Sequence, residues 1–326
     1  MIFSYFLRLI CLCFSLFFCV HTALGLVAWM VTPAAIRMAE EMRPKFAVRF
    51  LLALRLLPVS LALFAVVGLC VPSYLWLEPD ASPERVGYAC LVSALMGLAL
   101  WCISLSRVGI TLANSIRYTR HCQRTGREIC VVGGSSPLLV IEDEGPVLAV
   151  TGVLHSQLVV SSAVLRALTT DQLDAALLHE NAHRISRDNL KRLSFLLAPE
   201  LFPFLRCFAR LEQDWARLTE WATDDEAARG NPHRAVSLAS ALIRVARMGP
   251  GPKLSLFLVS LVADGRDLSA RVERLLCPAP PQERMGRQAR VLLGSACLLA
   301  GVATGMLMVR PQTFSSMHRL LEQFLR

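Results

Sequence analysis

Two histidines and a glutamate near the middle of the chain have the residue types and spacing that bind and use a metal ion. They lie in the sequence His179-Glu180-Asn181-Ala182-His183. Residues four apart on a helix share a face, so His179 and His183 could direct two imidazoles at one Zn²⁺ ion. Glu180 would lie beside that ion, where it could accept a proton from water. The pattern therefore predicts a zinc site with a general base, and the alternative is an incidental exposed helix that carries two histidines.

The residues just before this pattern predict a helix that would hold it. Residues 169–172 have the form of an N-terminal cap, in which Gln172 can return the hydrogen bond made by a threonine. Apolar residues follow at helical spacing and give this helix one apolar side: Leu173, Ala176, Leu177 and Ala182.

A zinc site with two histidines needs a third protein ligand, and Glu220 is the candidate. In zinc hydrolases of this kind, the third ligand is often a glutamate on a later helix. Asp224 lies four residues further on, so it could accept a hydrogen bond from a ligating histidine and fix its tautomer. The alternative is that both residues belong to a solvated acidic helix face.

The motifs together resemble a known family. They are the His-Glu-x-x-His pattern, the run 187–189 (Arg-Asp-Asn), the pattern Glu220-x-Ala222-x-Asp224-Asp225 and the run 230–232 (Gly-Asn-Pro). This combination, spread over roughly residues 85 to 280, resembles the membrane zinc metallopeptidases of the BlaR/MecR type, which are β-lactam sensor-transducers. Heat-shock membrane proteases and prenyl-protein endopeptidases share the two zinc-binding motifs and form the nearest competing family.

The chain departs from the BlaR/MecR pattern at two points. Thr223 stands where that family usually has a cysteine, outside the presumed ligand set. The sequence ends at Arg326, so we expect no extracellular penicillin-binding sensor domain. The resemblance also implies a late helix that carries an arginine, and Arg271 fits that place. Arg271 could stabilise the oxyanion of a tetrahedral intermediate, and the alternative is an exposed, salt-bridged arginine.

Composition indicates a membrane protein. Hydrophobic residues make up 54% of the chain, and the mean hydropathy is +0.49. The net charge is +9, but the basic residues lie beside apolar runs, as expected for contact with lipid headgroups and not with nucleic acid. Most of the eleven cysteines lie in apolar runs and show no Cys-x-x-Cys pairing, so we expect reduced thiols.

Four apolar stretches are long enough to cross a hydrocarbon core of about 30 Å. They cover residues 9–31, 56–76, 86–106 and 291–309. Basic residues follow the first and third stretches, whereas the loop at 77–85 is acidic. The positive-inside rule therefore predicts a multi-pass protein of the inner plasma membrane, with both termini outside and the central region in the cytoplasm.

The chain divides into three predicted regions. Residues 1–127 hold three spans and a basic linker, 128–290 form an α+β domain, and 291–326 hold the fourth span and a short amphipathic tail. In the fourth span, Gly301 and Gly305 are spaced for close helix packing, which suggests a homodimer through membrane helices. The domain should contain strands at 130–132, 137–141, 147–151 and 158–161. Residues 147–153 could offer an open edge to an extended substrate peptide or form an ordinary interior strand.

These observations predict an α-helical integral membrane protein of about four spans with an inserted gluzincin-like zinc metallopeptidase domain. The expected activity is cleavage of a peptide bond in a cytoplasmic protein. By analogy with the sensor-transducers, that protein would be a repressor or the chain itself. Three alternatives stay open: a heat-shock-type quality-control protease, a non-catalytic transducer with a structural zinc ion, and a metal-free membrane scaffold.

Overall fold

The computed structural model describes residues 5–77, 86–129, 138–143, 145–153, 155–202, 206–249, 259–260 and 267–277. Most of them are helical, and the helices have the following bounds: α1 Tyr5–Glu40, α2 Pro44–Phe64, α3 Val71–Leu77, α4 Tyr88–Thr125, α5 Ser162–Ala167, α6 Thr170–Ser186, α7 Asp188–Leu197, α8 Ala209–Ala228, α9 Pro232–Arg247 and α10 Leu268–Leu276. The following predictions lie outside the described residues: the strand at 130–132, all but the first residue of the acidic loop, the fourth span and the amphipathic tail.

Three helices are long and apolar enough to cross a membrane, which confirms helices at the first three predicted spans. They are α1, the continuous helix Pro44–Leu77 and α4. Each is longer than the apolar stretch that predicted it, because its polar end continues beyond the apolar run. Large apolar side chains on these helices are exposed, as expected for surfaces that face lipid: Met30, Val67, Trp76 and Ile110.

The second membrane helix changes its winding in the middle. A π-helical segment, Ala65–Cys70, joins α2 to α3 without a break, and the amide of Val71 donates to the carbonyl of Val66. Cys70 at the end of this segment and Tyr74 one turn further are buried in one cluster with Leu12 of α1. The π segment and the turn that follows it therefore pack on the first membrane helix.

In the part of the chain that the structure describes, the sheet contains five short strands in the order β1-β2-β4-β3-β5. Their bounds are β1 Arg127–Ile129, β2 Leu138–Ile141, β3 Leu148–Thr151, β4 Gln157–Ser161 and β5 Val259–Ser260. Only β2 and β4 pair in parallel. The expectation of an open substrate edge at 147–153 is wrong at Ala149 and Val150, because these two residues pair with β4 on one side and β5 on the other.

A hydrophobic core joins this sheet to α6, α9 and α10. The helical spacing of Ala235, Leu238, Ala239, Leu242 and Val245 predicts the inward face of α9, and the structure buries all of them except Ala235, which is half-buried. Helix α8 packs against α6 on one side and against α2 on the other. The same helix therefore contacts both the soluble core and the membrane helices.

The apolar segment between α7 and α8 enters the bundle of membrane helices. Ala198 is buried in one cluster with Phe17 and Val59. Leu201 lies so close to Gly25 that any side chain at that glycine would clash with it. The sequence predicts packing under the active site or on the membrane surface, and the structure shows that this segment anchors the domain among the spans.

A buried arginine of α2 holds this segment in place. Arg55 donates to the carbonyl of Ala198 at 2.9 Å and to Glu212 of α8 at 3.3 Å. Its guanidinium also lies 3.7 Å from Glu200 and over the ring of Phe208. Because the side chain of Arg55 is only 1% exposed, these contacts replace the water that a charge requires.

Candidate metal centre

Helix α6 begins where the sequence predicts it and carries the motif histidines on one buried face. The amide of Thr169 donates to the Gln172 side chain at 3.1 Å, and the amide of Gln172 donates to the Thr169 hydroxyl at 3.4 Å. This capping box satisfies two amides that a helix start would leave without partners. Three turns further on, His179 and His183 are both buried.

The metal-binding atoms of three residues converge. The Nε2 atoms of His179 and His183 are 3.1 Å apart. The Glu220 carboxylate on α8 lies 3.5 Å from the first of these nitrogens and 3.6 Å from the second. All three ligand atoms fall within 4.8 Å of one another, so His179, His183 and Glu220 could hold one metal ion. Two imidazoles and one carboxylate are a donor set that suits zinc.

The other nitrogen of each histidine ring is held by a carboxylate. Asp224 lies 3.0 Å from His179 Nδ1, as its spacing from Glu220 predicts. Asp188 lies 2.7 Å from His183 Nδ1. A carboxylate at Nδ1 favours the tautomer with the proton on that atom, which leaves Nε2 free to bind a metal. Both Nε2 atoms lie near Glu220, so each could bind a metal ion that displaces its proton.

The role of Asp188 is missed by sequence reasoning, although the residue belongs to a motif that carries the family resemblance. Arg187 adopts a left-handed conformation, with φ 54° and ψ 44°, and this turn ends α6 and starts α7. It places the first residue of α7 beside the last turn of α6. The sequence does show an aspartate five residues after His183. This spacing brings the two side chains together only because the helix is interrupted by the turn at Arg187.

Asn189, the residue after Asp188, connects the sheet to the metal centre through two hydrogen bonds. The side-chain amide of Asn189 donates to the carbonyl of Val150 at 3.2 Å and to that of Gly152 at 2.8 Å. Asn189 is buried at the start of α7, one residue after Asp188. The end of β3 is therefore tied directly to the turn that follows the motif helix.

Arg271 lies at the metal centre. Its guanidinium donates to the two Asp224 oxygens at 2.7 and 2.9 Å and lies 3.1 Å from Glu220. Because the residue is only 5% exposed, the alternative of an exposed arginine is wrong, although the salt bridges that it included are present. In this position Arg271 orients the carboxylates of Asp224 and Glu220, and its cationic group lies next to the candidate ligand Glu220.

Glu180 lies in the same buried region without a hydrogen-bond partner. The residue is 0% exposed, and within the described part of the chain neither carboxylate oxygen has a partner. Burial raises the pKa of Glu180 to about 7. A carboxyl with this pKa can both take up and release a proton near neutral pH. The geometry therefore suits the proton-transfer role that the sequence predicts.

The acidic residues give the centre a strong affinity for positive charge. Burial alone would lower the pKa of His183, but the charge of Glu220 and the hydrogen bond that His183 donates to Asp188 outweigh it and raise the pKa to about 10. Burial would raise the pKa of Glu220, but the charges of His183 and Arg271 hold it well below its usual range. The same negative groups would favour a bound metal cation.

Thr223 lies next to the ligands but outside their set. Its hydroxyl donates to the carbonyl of Glu220 at 2.9 Å and lies 3.3 Å from His183 Nε2. A hydroxyl in this position is bound to its own helix, as is common for threonine. The departure from the family pattern therefore leaves the two histidines and Glu220 in place.

In comparisons of the chain with known proteins, no family model and no curated protein matches it. The described site therefore supports a metal centre by its own geometry, and the resemblance to BlaR/MecR-type peptidases stays a hypothesis based on motifs.

Proposed function

We propose that this protein is a membrane-bound zinc-dependent endopeptidase. The observation that carries the proposal is the buried combination of a three-residue candidate metal centre with one carboxylate, Glu180, that has no hydrogen-bond partner among the described residues. Burying a carboxylate without hydrogen bonds costs free energy, and such groups are concentrated at functional sites, so its position beside His179 and His183 supports a reactive role.

Each residue has a separate task in the proposed reaction. His179, His183 and Glu220 would hold the zinc ion, which supplies Lewis-acid chemistry to a scissile carbonyl and to water when bound. Glu180 takes the proton from the attacking water and then gives it to the leaving amine. Asp188 and Asp224 keep the two imidazole rings in the ligating tautomer.

Arg271 has a different task from the one suggested by the resemblance. Three of its guanidinium contacts are with Asp224 and Glu220. A guanidinium that is committed to two carboxylates positions them and keeps Glu220 ionised. We therefore propose Arg271 as a positioning residue for the third ligand and assign it no direct contact with substrate.

The variant Glu180→Gln tests the proposal. Glutamine has nearly the same shape but cannot accept a proton, so zinc content should stay at one ion per chain while peptide hydrolysis is lost. Zinc is measured by elemental analysis, and cleavage is measured on proteins of a cell lysate. The matched control is Glu226→Gln, which changes an exposed carboxylate of α8. Undiminished cleavage by Glu180→Gln would show that Glu180 is not the proton acceptor, and zinc-loaded unmodified protein that cleaves nothing would identify a non-catalytic protein with a structural metal.

The membrane orientation is part of the same proposal. The described basic residues around the turn from α1 to α2, together with those near the end of α4, support a cytoplasmic metal centre by the positive-inside rule. The substrate would then be a cytoplasmic protein, and a repressor is the case that the family resemblance suggests. In a variant that lacks native cysteines, Arg124→Cys should react with an impermeant thiol reagent only after lysis. Labelling in intact cells would place the domain on the other side.

A further inference from the structure

A groove of about 600 Å³ lies between α1 and α8, away from the metal centre. One wall is a face of α1 and the other is a face of α8. On each helix the lining residues recur at helical spacing. The lining residues are Pro33, Ile36, Arg37 and Glu40 on α1, and Arg210, Gln213, Asp214 and Arg217 on α8. Nothing in the proposed peptidase reaction uses this groove.

Considering the described residues alone, the groove contains two cationic groups that no carboxylate contacts directly. Arg217 binds Glu40 at 2.7 Å and Asp214 at 2.8 Å, so the acidic residues of the groove are already engaged. Arg37 donates only to a backbone carbonyl of its own helix. Among the described residues, Arg210 makes no ion pair. Two guanidinium groups on opposite walls are therefore available to an anion.

The groove lies at the depth of the lipid headgroups. The apolar run of α1 ends at residue 31, and Pro33 to Arg37 follow it by a rise of about 3 to 9 Å. The headgroup region is about 5 to 8 Å thick on each side of the hydrocarbon core. Helix α8 reaches the same level, because Leu211 and Trp215 are buried in one cluster with Ala28 and Ala35 of α1.

An apolar surface continues from the groove toward the hydrocarbon core. Trp29 and Met30 lie four and three residues before Pro33, so they share its side of α1. Their exposed fractions are 46% and 69%. A ligand that has both a negative headgroup and long apolar chains would satisfy both surfaces at once. A free phosphate ion would use only the two arginines.

We propose that this groove binds the headgroup of an anionic phospholipid. Its phosphate would bridge Arg37 of α1 and Arg210 of α8, since guanidinium groups match phosphate oxygens in charge and geometry. The acyl chains would lie along Trp29 and Met30. The lipid would then connect a membrane span with the helix that also carries Glu220. The proposal does not depend on peptidase activity, because its test measures bound lipid.

The test uses the full chain in nanodiscs made from phosphatidylglycerol or from phosphatidylcholine. Native mass spectrometry should show one phosphatidylglycerol retained on the protein after release from the nanodisc, and no comparable retention of phosphatidylcholine. The double variant Arg37→Gln/Arg210→Gln should lower this retention by about tenfold or more. The matched control Lys45→Gln/Arg49→Gln removes the same charge from exposed positions of α2 and should keep the bound lipid.

Three results would overturn the proposal. The first is retention of phosphatidylglycerol by the groove variant at the level of the unmodified chain. The second is equal retention of the two lipids. The third is binding of inorganic phosphate that needs both arginines while no lipid is retained, which would assign the groove to a free anion. Zinc content, measured on the same samples, shows whether the variant still folds around its metal centre.

Discussion

Two buried clusters of charged residues lie on α8, and they differ in whether their charges balance. The first, the metal-site cluster, consists of Glu180, Asp188, Lys191, Glu220, Asp224 and Arg271 around the two histidines. The second, the Arg55 cluster, consists of Arg55, Glu200, Arg206 and Glu212. Glu212 and Glu220 are eight residues apart, so the two clusters lie about two turns apart on one helix.

The Arg55 cluster balances its own charges, because the buried Arg55 and the exposed Arg206 face two glutamates. In the metal-site cluster, four carboxylates face two cations, which leaves two negative charges when the histidines are neutral and Glu180 is ionised. A divalent cation would supply the missing charge. The comparison shows that burial of charge does not by itself indicate a reactive site. The imbalance, together with the unpartnered Glu180, separates a metal centre from a structural ion-pair network.

The largest expected effect comes from removing one glutamate side chain from the metal-site cluster, with removal of a glutamate from the Arg55 cluster as the comparison. Glu220→Ala removes a proposed metal ligand, so zinc affinity should fall by more than the roughly 10 to 100-fold that is typical for loss of an outer partner. Glu212→Ala on the same helix should leave one zinc ion per chain. Zinc is measured by elemental analysis and by competition with a chelator. Full zinc retention by Glu220→Ala would mean that the third ligand is another residue.

The second prediction disturbs the Arg55 cluster and leaves the metal-site cluster intact. Arg55→Met leaves Glu200 and Glu212 buried without their main cation, which should cost about 3 to 5 kcal/mol of stability. Zinc stoichiometry should stay unchanged in the fraction that remains folded. Stability is measured by denaturant unfolding in detergent micelles, with Arg49→Met as the control, because Arg49 is an exposed arginine of the same helix. Equal stability of both variants would show that the balanced cluster has no structural role.

A smaller effect is expected when a carboxylate behind a histidine is neutralised. Asp188→Asn and Asp224→Asn keep their shape but bind the imidazole less strongly, so zinc affinity should fall by about 10 to 100-fold in each. The structure makes the Asp188 variant the sharper case, because His183 has this carboxylate at 2.7 Å from its Nδ1. An unchanged zinc affinity in Asp188→Asn would remove Asp188 from the proposed site. Chelator competition supplies the measurement.

The smallest effect is expected at the edge of the metal-site cluster. Lys191→Met removes a cation that lies 2.7 Å from Asp188 but has a side chain that is 25% exposed. Water screens such a pair, so the free energy of unfolding should change by less than about 1 kcal/mol. Thermal unfolding of the zinc-loaded protein measures it. A loss as large as that of Arg55→Met would show that Lys191 belongs to the buried part of the cluster.

The sequence predicts the local features of this site better than its long-range contacts. Spacing within a helix was enough to propose His179, His183, Glu220 and Asp224, because one period fixes which residues share a face. It could not place Asp188, whose contact depends on the turn at Arg187. Nor could it predict that β5 covers β3, because pairing between strands more than a hundred residues apart leaves no local pattern.

The same limit applies to the membrane region. Apolar runs predict the three described spans, since length and hydropathy are local properties. The burial of Arg55 is different, because a basic residue at the start of a span is expected at the lipid surface. Its partners, Ala198 and Glu212, lie far along the chain, and only the folded structure brings them to α2.

The π-helical segment Ala65–Cys70 sets the angular alignment of the two halves of the second membrane helix. Its wider turn accommodates one more residue than an α-helical turn over the same length. Because the wide turn absorbs this extra residue, deletion of one residue there would restore regular winding and leave Tyr74 directed at Leu12. One residue added to a stretch that stays α-helical would instead rotate the part beyond it by about 100°. The π segment thus lets this span change its length by one residue while Tyr74 and Arg55 keep their orientation.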